Sequence, residues 1–149
     1  MQIEGEVNFK APVESVWNAL LDPEAIAACV PGCRELKQTD SDTYTAVLKV
    51  GVGAVSGTYE GELRIAEKEP PSRFVMIFEG AGAQGFAKGH GEAKLRADDG
   101  STVVSYCCEV EVGGLIASVG QRALEGVGKF LIKGMFAKLE SHVAKGEHE

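Results

Sequence analysis

The chain has 149 residues, 44% of them hydrophobic and 25% charged, and a formal net charge of −7. That is one domain, 1–149, large enough to bury about 70% of its unfolded surface. The acidic balance argues against nucleic acid or an anionic membrane surface as the main partner, and no apolar run approaches the roughly 20 residues that span a bilayer. Met1 to Glu6 lacks the basic and apolar regions of a signal peptide, so cytoplasmic residence is the expectation.

Ile3, Gly5, Val7 and Phe9 alternate with polar residues, which predicts a strand with one buried face, ended by Ala11-Pro12. Val13, Val16, Trp17 and Leu20 give a short helix an apolar face. Asp22-Pro23-Glu24 then restarts a second, with Asp22 as N-cap and Pro23 at the first helical position. Pro31-Gly32 closes that unit as a turn.

Six strands joined by tight turns follow. Residues 34–39 lead into a strand with Tyr44, Ala46, Leu48, Val50 and Val52 on one face. Val55, Gly57, Tyr59, Gly61, Leu63 and Ile65 alternate with polar residues in the next, and Phe74, Met76 and Phe78 share a face after Pro70-Pro71. The strand over 85–96 turns Lys88, His90, Glu92, Lys94 and Arg96 outward, and shows only Ala87, Gly89, Gly91, Ala93 and Leu95 inward. Asp98-Asp99-Gly100 signals a hairpin, and Val104, Tyr106, Cys108, Val110 and Val112 form the inner face of the last strand. Glycines within strands suggest sharp curvature and close approaches.

The spacing predicts one long amphipathic helix over 114–143, with Ile116, Val119, Ala123, Val127, Phe130, Leu131 and Gly134 in the stripe pressed onto the sheet. Gly120, Gly126, Gly128 and Gly134 each cost about 0.5–1 kcal/mol relative to alanine in a helix interior. Two accounts explain that cost: close backbone approach to a sheet, or small residues leaving room for a guest. A second apolar line, Ile132, Phe136, Leu139 and Val143, runs on the other side. It is read either as packing on the end of the sheet or as a face for a partner, a second copy or a membrane. The element order makes an α+β chain with a curved seven-stranded antiparallel sheet gripping a long C-terminal helix, plus two short helices.

Read by parity, the inner face holds no carboxylate, histidine, lysine or arginine. Acid–base or nucleophilic catalysis wants titratable groups within reach of a substrate, and only the hydroxyls of Tyr44, Tyr59 and Tyr106 and the weakly polar Cys108 qualify there. His90 falls on the wet face, and His142 and His148 lie near the end. Cys29, Cys33, Cys107 and Cys108 lack redox or zinc spacing and read as free thiols, with no metal. Gly80-x-Gly82-x-x-Gly85 falls in a hairpin with no helix to receive a pyrophosphate, so it is not a dinucleotide site. What remains is an apolar cavity with a few hydroxyls, set against the alternative of a filled core.

Pro12-Val13-Glu14-Ser15-Val16-Trp17, Asp22-Pro23-Glu24 and Cys29-Val30-Pro31-Gly32-Cys33 together resemble the opening of the carbon monoxide dehydrogenase G-subunit (CoxG) family. That family belongs to the START-like (SRPBCC), birch-pollen-allergen-like helix-grip superfamily. Gly51-Val52-Gly53, Gly57-x-Tyr59-x-Gly61 and Gly120-Gln121-Arg122 are also similar to it. The resemblance implies a hydrophobic cavity under the long helix and a role beside CO dehydrogenase or related molybdenum hydroxylases. It also implies a lipophilic guest, a quinone or lipid, and a link to the membrane. Many members end in a hydrophobic anchor; this sequence ends at Glu149 without one, so the Ile132/Phe136/Leu139 line or a partner is expected to supply any attachment.

The expectation is a non-catalytic binding protein with no cofactor beyond its guest. Tyr59, Phe74, Met76, Phe78, Ala87, Gly91, Tyr106, Cys108, Ile116, Val119, Ala123 and Val127 are expected to line the cavity, with Pro31 at its mouth. The rivals are a polyketide cyclase- or hydratase-like enzyme using Tyr59 or Tyr106 as acid, and an assembly factor acting through its surface.

Overall fold

Strand β1 (Gln2–Phe9) opens the chain and stops before Ala11-Pro12, where proline removes the next ladder donor. The structure, a computed structural model, describes residues 1–51 and 53–147. Helix α1 (Val13–Leu20) buries Val16, Trp17, Ala19 and Leu20. Asp22 then caps α2 (Pro23–Cys29), its side chain accepting a hydrogen bond from the Glu24 amide at 3.0 Å. The meander follows: β2 (Cys33–Asp40), β3 (Thr43–Val50), β4 (Gly57–Glu69), β5 (Arg73–Gly82), β6 (Gly85–Asp98) and β7 (Ser101–Gly113). A 3-10 turn (Leu115–Val119) hands over to α3 (Gln121–Glu147). The strands form one antiparallel sheet in the order β1-β7-β6-β5-β4-β3-β2. This is the expected α+β helix-grip architecture. Val52 and His148 lie outside the described residues.

The register sorts the inner face into rows that run across the sheet. Gly5, Tyr106, Ala93 and Phe74 make one row, and Ile3, Cys108, Gly91, Met76 and Ile65 the next. Then come Val110, Gly89, Phe78, Leu63 and Tyr44, followed by Val112, Ala87, Gly80, Gly61 and Ala46. The parity reading of the inner face therefore holds on every one of these strands.

Two glycines show why the sheet can bend. A methyl group built on Gly61 would collide with the Glu79 carbonyl oxygen, and one on Gly89 with that of Glu109. The neighbouring strand's backbone occupies the space a side chain would need, so only glycine permits that curvature. At Gly91 the vacant volume is filled differently: the Cys108 sulfur would stand 2.7 Å from an added methyl. The run of small residues is thus partly spent on bending and partly filled.

The long helix differs from the sequence reading in two ways. It begins at Gln121, because Gly120 at φ 102° breaks the chain direction after the 3-10 turn. The weight of the two apolar lines also reverses. Phe136 (6% exposed), Leu139 (0%) and Val143 are buried in the core, with Ile132 packed against them, while Phe130 is 64% exposed. The Ile132/Phe136/Leu139 line is therefore not a surface for a membrane or a second copy. Its anchors are aromatic: Phe136 meets Phe9 edge-on at 5.8 Å and stacks on Tyr106 at 5.5 Å. Close approach explains two helix glycines. A methyl on Gly128 would lie 2.6 Å from Ile3 Cδ1, and one on Gly134 3.2 Å from Pro31 Cγ.

On the outer face Arg73 gathers acids: its Nε lies 2.5 Å from Glu92 Oε2 and its Nη1 2.6 Å from Glu69 Oε2. The hydrogen bond from Arg73 holds the Glu92 carboxyl below the ordinary glutamate range.

Two outcomes follow. Leu139→Ala is expected to cost about 2–5 kcal/mol in denaturant unfolding, whereas Phe130→Ala stays within about 0.5 kcal/mol. Equal costs would contradict the helix orientation. Glu92→Gln is expected to lower the unfolding midpoint at neutral pH. Because the folded carboxyl titrates below the unfolded one, the pair stabilises above the ordinary glutamate range and that contribution is lost as pH falls through the lowered value. Wild type and variant should therefore converge in acid, and a gap that persists there would contradict the assignment.

Candidate functional site

Burial along the inner face falls off in one direction. Leu95, Ala93 and Gly91 are buried on β6, but Gly89 and Ala87 only half-buried. On β5 Phe74 is buried while Met76, Phe78 and Gly80 are half-buried. Strand β4 repeats this from Ile65 to Leu63, Gly61 and Tyr59, and β7 from Val104 and Cys108 to Val110 and Val112. One half of the concave face is therefore packed solid under α1, α2 and the second half of α3. The other half is apolar and open to water.

The helix explains the division. Helix α3 packs on β1, α1, α2 and the 3-10 turn before it. Its Gly128 faces Ile3 on one flank and its Gly134 faces Pro31 on the other. At about 100° per residue, Leu124, Leu131 and Met135 fall between those two directions, so this is the side turned to the sheet. Leu124, Val127 and Leu131 are half-buried there. The sequence reading puts Val127 and Leu131 on this side and misses Leu124 and Met135. Their places seven residues before and four after Leu131 were a readable signal, masked by neighbouring Phe130.

The expected site residues separate accordingly. Tyr59, Phe78 and Ala87 lie in the open half, and Val127 is on the helix above it. Met76 stands at the border, while Phe74, Gly91 and Cys108 belong to the packed half. Tyr106 leans away across Gly5, where an added methyl would lie 2.6 Å from its hydroxyl, and packs under Phe136. Ala123 is exposed, about 140° round the helix from Gly128. Val119 is half-buried in the 3-10 turn, and Ile116 is buried against Gly85. Pro31 sits against Gly134 instead of at a mouth, and Gly32 behind it accepts a hydrogen bond from the Lys49 amide at 2.8 Å.

The chemistry of this half is neutral. Register turns every charged side chain of β4 to β7 alongside it to the outer face. The Tyr59 hydroxyl donates to the Val55 carbonyl at 2.6 Å, which ties it to the 3-10 turn Gly53–Val55 and removes it as a proton donor for a substrate. Burial pushes the phenols of Tyr59 and Tyr106 and the thiol of Cys108 upward, so all three stay protonated at neutral pH. Cys107 points outward and accepts a hydrogen bond from Gln2, and all four cysteines are free. Among the described residues no group of three or more His, Cys, Asp or Glu is placed to hold a metal. None of the described helices is long and apolar enough to cross a membrane.

A separate open depression of about 1030 Å³ lies on the outer face, edged by Glu62, Arg64, Glu79, Lys88, His90 and Glu111. Its floor includes Val75 and Ile77, so an apolar guest there would lie among both apolar and charged side chains and strip water from the latter.

The profile of the carbon monoxide dehydrogenase G-subunit (CoxG) family matches residues 5–144. Among solved structures, a conserved protein from Geobacillus kaustophilus is 35% identical, with a TM-score of 0.95 over 97% of this chain and 96% of that one. A START superfamily protein from Mycobacterium smegmatis superposes with a TM-score of 0.75 at 12% identity, over 97% of each chain. A protein from Chromobacterium violaceum gives 0.76 at 17% identity, over 95% of this chain and 96% of its own. The last two likenesses speak to the fold, which is START-like. Among curated proteins none matches the sequence significantly.

Because the open half carries no group that titrates near neutrality, binding of an uncharged apolar probe is expected to be flat between about pH 6 and about pH 8. A step in affinity across that range, followed by probe fluorescence, would reveal an ionising group in contact. Tyr59→Phe is expected to cost about 1 kcal/mol of stability through the lost hydrogen bond and to leave probe affinity unchanged.

Proposed function

The chain belongs to the CoxG family, named for carbon monoxide dehydrogenase, and from that membership and the shape of its inner face we propose that it is a non-catalytic carrier of a lipophilic small molecule, a quinone or lipid. The observation that supports this most is the abrupt fall in burial beyond the Gly91–Cys108 row. Half of a concave apolar surface is left wet beneath a helix held off it at both flanks. Wetting apolar surface costs about 25 cal/mol per Å², so an apolar guest that covers it is stabilised by recovering that cost. Neutral walls suit a neutral guest, and nothing around Tyr59 favours the acid role of a cyclase or hydratase.

In this reading the protein is an accessory to a carbon monoxide dehydrogenase or related molybdenum hydroxylase. It aids that enzyme's assembly or couples it to the membrane by presenting the guest. The coupling role and the pure assembly role differ in whether the open half matters.

Ala87→Leu puts a larger side chain into the open half and is expected to weaken a neutral fluorescent probe by about tenfold or more while leaving the unfolding midpoint within a few degrees. Ala123→Leu, on the exposed side, is expected to change neither. Organic extracts of the purified protein, read by mass spectrometry, are expected to contain a stoichiometric quinone or lipid that Ala87→Leu loses. An empty extract together with no saturable probe binding would sink the carrier reading. Normal enzyme-to-quinone coupling in cells carrying Ala87→Leu would favour the assembly factor.

A further inference from the structure

The open half ends where three short segments converge: the β5–β6 turn at Gln84, the turn at Val55, and the 3-10 turn Leu115–Val119. The last of these is bracketed by two glycines at positive φ, Gly114 at 81° and Gly120 at 102°. Neither conformation is open to most L residues, so at both ends glycine lets the chain turn sharply; open space surrounds Gly120, while Gly114 lies against the Gly85 backbone. Between them the segment is seated through Ile116, with Val119 half-buried beside it. Ile116 is 6% exposed, and its Cγ1 would stand 2.9 Å from a methyl built on Gly85. It has one backbone attachment as well, from the Ile116 amide to the Gln84 carbonyl at 2.8 Å. Its other hydrogen bonds, Ala117 amide to Gly114 carbonyl and Ser118 hydroxyl to Leu115 carbonyl, are internal and travel with it. Leu115, 68% exposed, contributes nothing to holding it down.

We infer that residues 114–120 form a hinged flap over the end of the hollow, with Ile116 as its plug and Gly114 and Gly120 as its hinges. This rests on the carrier reading of the same hollow and adds the route by which the guest passes. Opening withdraws Ile116 from Gly85, exposes what Val119 buries and breaks the hydrogen bond from the Ile116 amide to Gln84, while the β7 ladder and the first turn of α3, begun by the Leu124 amide bonding to the Gly120 carbonyl, stay intact. Such an opening costs far less than unfolding a strand. Glycine at position 85 leaves room for the Gly113 carbonyl, which an added methyl would meet first, and beside it for the Ile116 side chain.

The test is stopped-flow binding of N-phenyl-1-naphthylamine, a neutral apolar fluorophore, to the full chain and to Ile116→Ala. Removing the plug is expected to raise entry and exit rates together by about tenfold, the scale of losing most of a buried isoleucine side chain. The equilibrium constant is expected to move by less than about threefold, because the walls of the hollow are untouched. Saturable binding with wild-type rates in Ile116→Ala would overturn the flap and leave the carrier reading standing. No saturable binding by the wild type would overturn the carrier reading, and the flap with it. Hydrogen exchange of the wild type gives a second readout that needs no variant. The Ile116 amide is expected to exchange much faster than the Val104 and Tyr106 amides of β7, and to slow when the fluorophore saturates the protein. Protection equal to that of β7 would overturn the flap.

Discussion

The structure depends on how α3 is held. It touches the rest of the protein along its flanks: Gly128 against Ile3 of the edge strand, Gly134 against Pro31, and Phe136 between Phe9 and Tyr106. At both glycines the helix backbone meets a side chain closely, 2.6 Å from an added methyl to Ile3 Cδ1 at Gly128 and 3.2 Å to Pro31 Cγ at Gly134. Beyond Phe136 the helix is locked by Leu139 and Val143 in the core shared with α1. With its second half fixed and both flanks set by contact, its first half is carried over the sheet without settling onto it. At Gly61 and Gly89 the neighbouring strand's backbone takes the place of a side chain. In the carrier reading, the guest lies on the half-buried part of the sheet face that this arrangement leaves uncovered.

That arrangement makes the interior unequal. At the α1 end, Trp17 against Phe74 and Phe9 against Phe136 fill space with aromatic rings at ordinary core distances. At the other end the same strands present Phe78, Ala87, Val110 and Val112 to water. Two of the three tyrosines, which looked like the polar furnishing of a pocket, turn out to serve the frame: Tyr59 pins the turn at Val55, and Tyr106 lies across Gly5 as a floor for Phe136. What is left on that side of the inner face is apolar apart from the half-buried Tyr44.

Much of this was legible in the residues. Strand alternation places the inner face correctly on β1 and β3 to β7, because a period of two leaves no ambiguity once one face is apolar. Asp22-Pro23 announces the start of α2 for a chemical reason, an acceptor before a residue without a donor. The orientation of α3 was not legible. Its two apolar lines, Val127-Phe130-Leu131 and Ile132-Phe136-Leu139, are similar in strength, and the choice between them is made by glycine contacts with Ile3 and Pro31 that are distant in sequence. Nor was the use of the small residues in β6. Gly91 reads as missing volume until Cys108 is seen to fill it, and Gly89 until the Glu109 carbonyl is seen to need its place. A count of small residues cannot tell curvature from emptiness, whereas burial along each strand can.

Xenon tests the central claim most directly, since the gas occupies apolar cavities and reports them by its electron density. Crystals pressurised with it are expected to show an ordered atom between Phe78 and Ala87 on the sheet and Leu131 on α3. Absence of xenon there, with Gly89 and Ala87 sealed by the helix above them, would contradict the account.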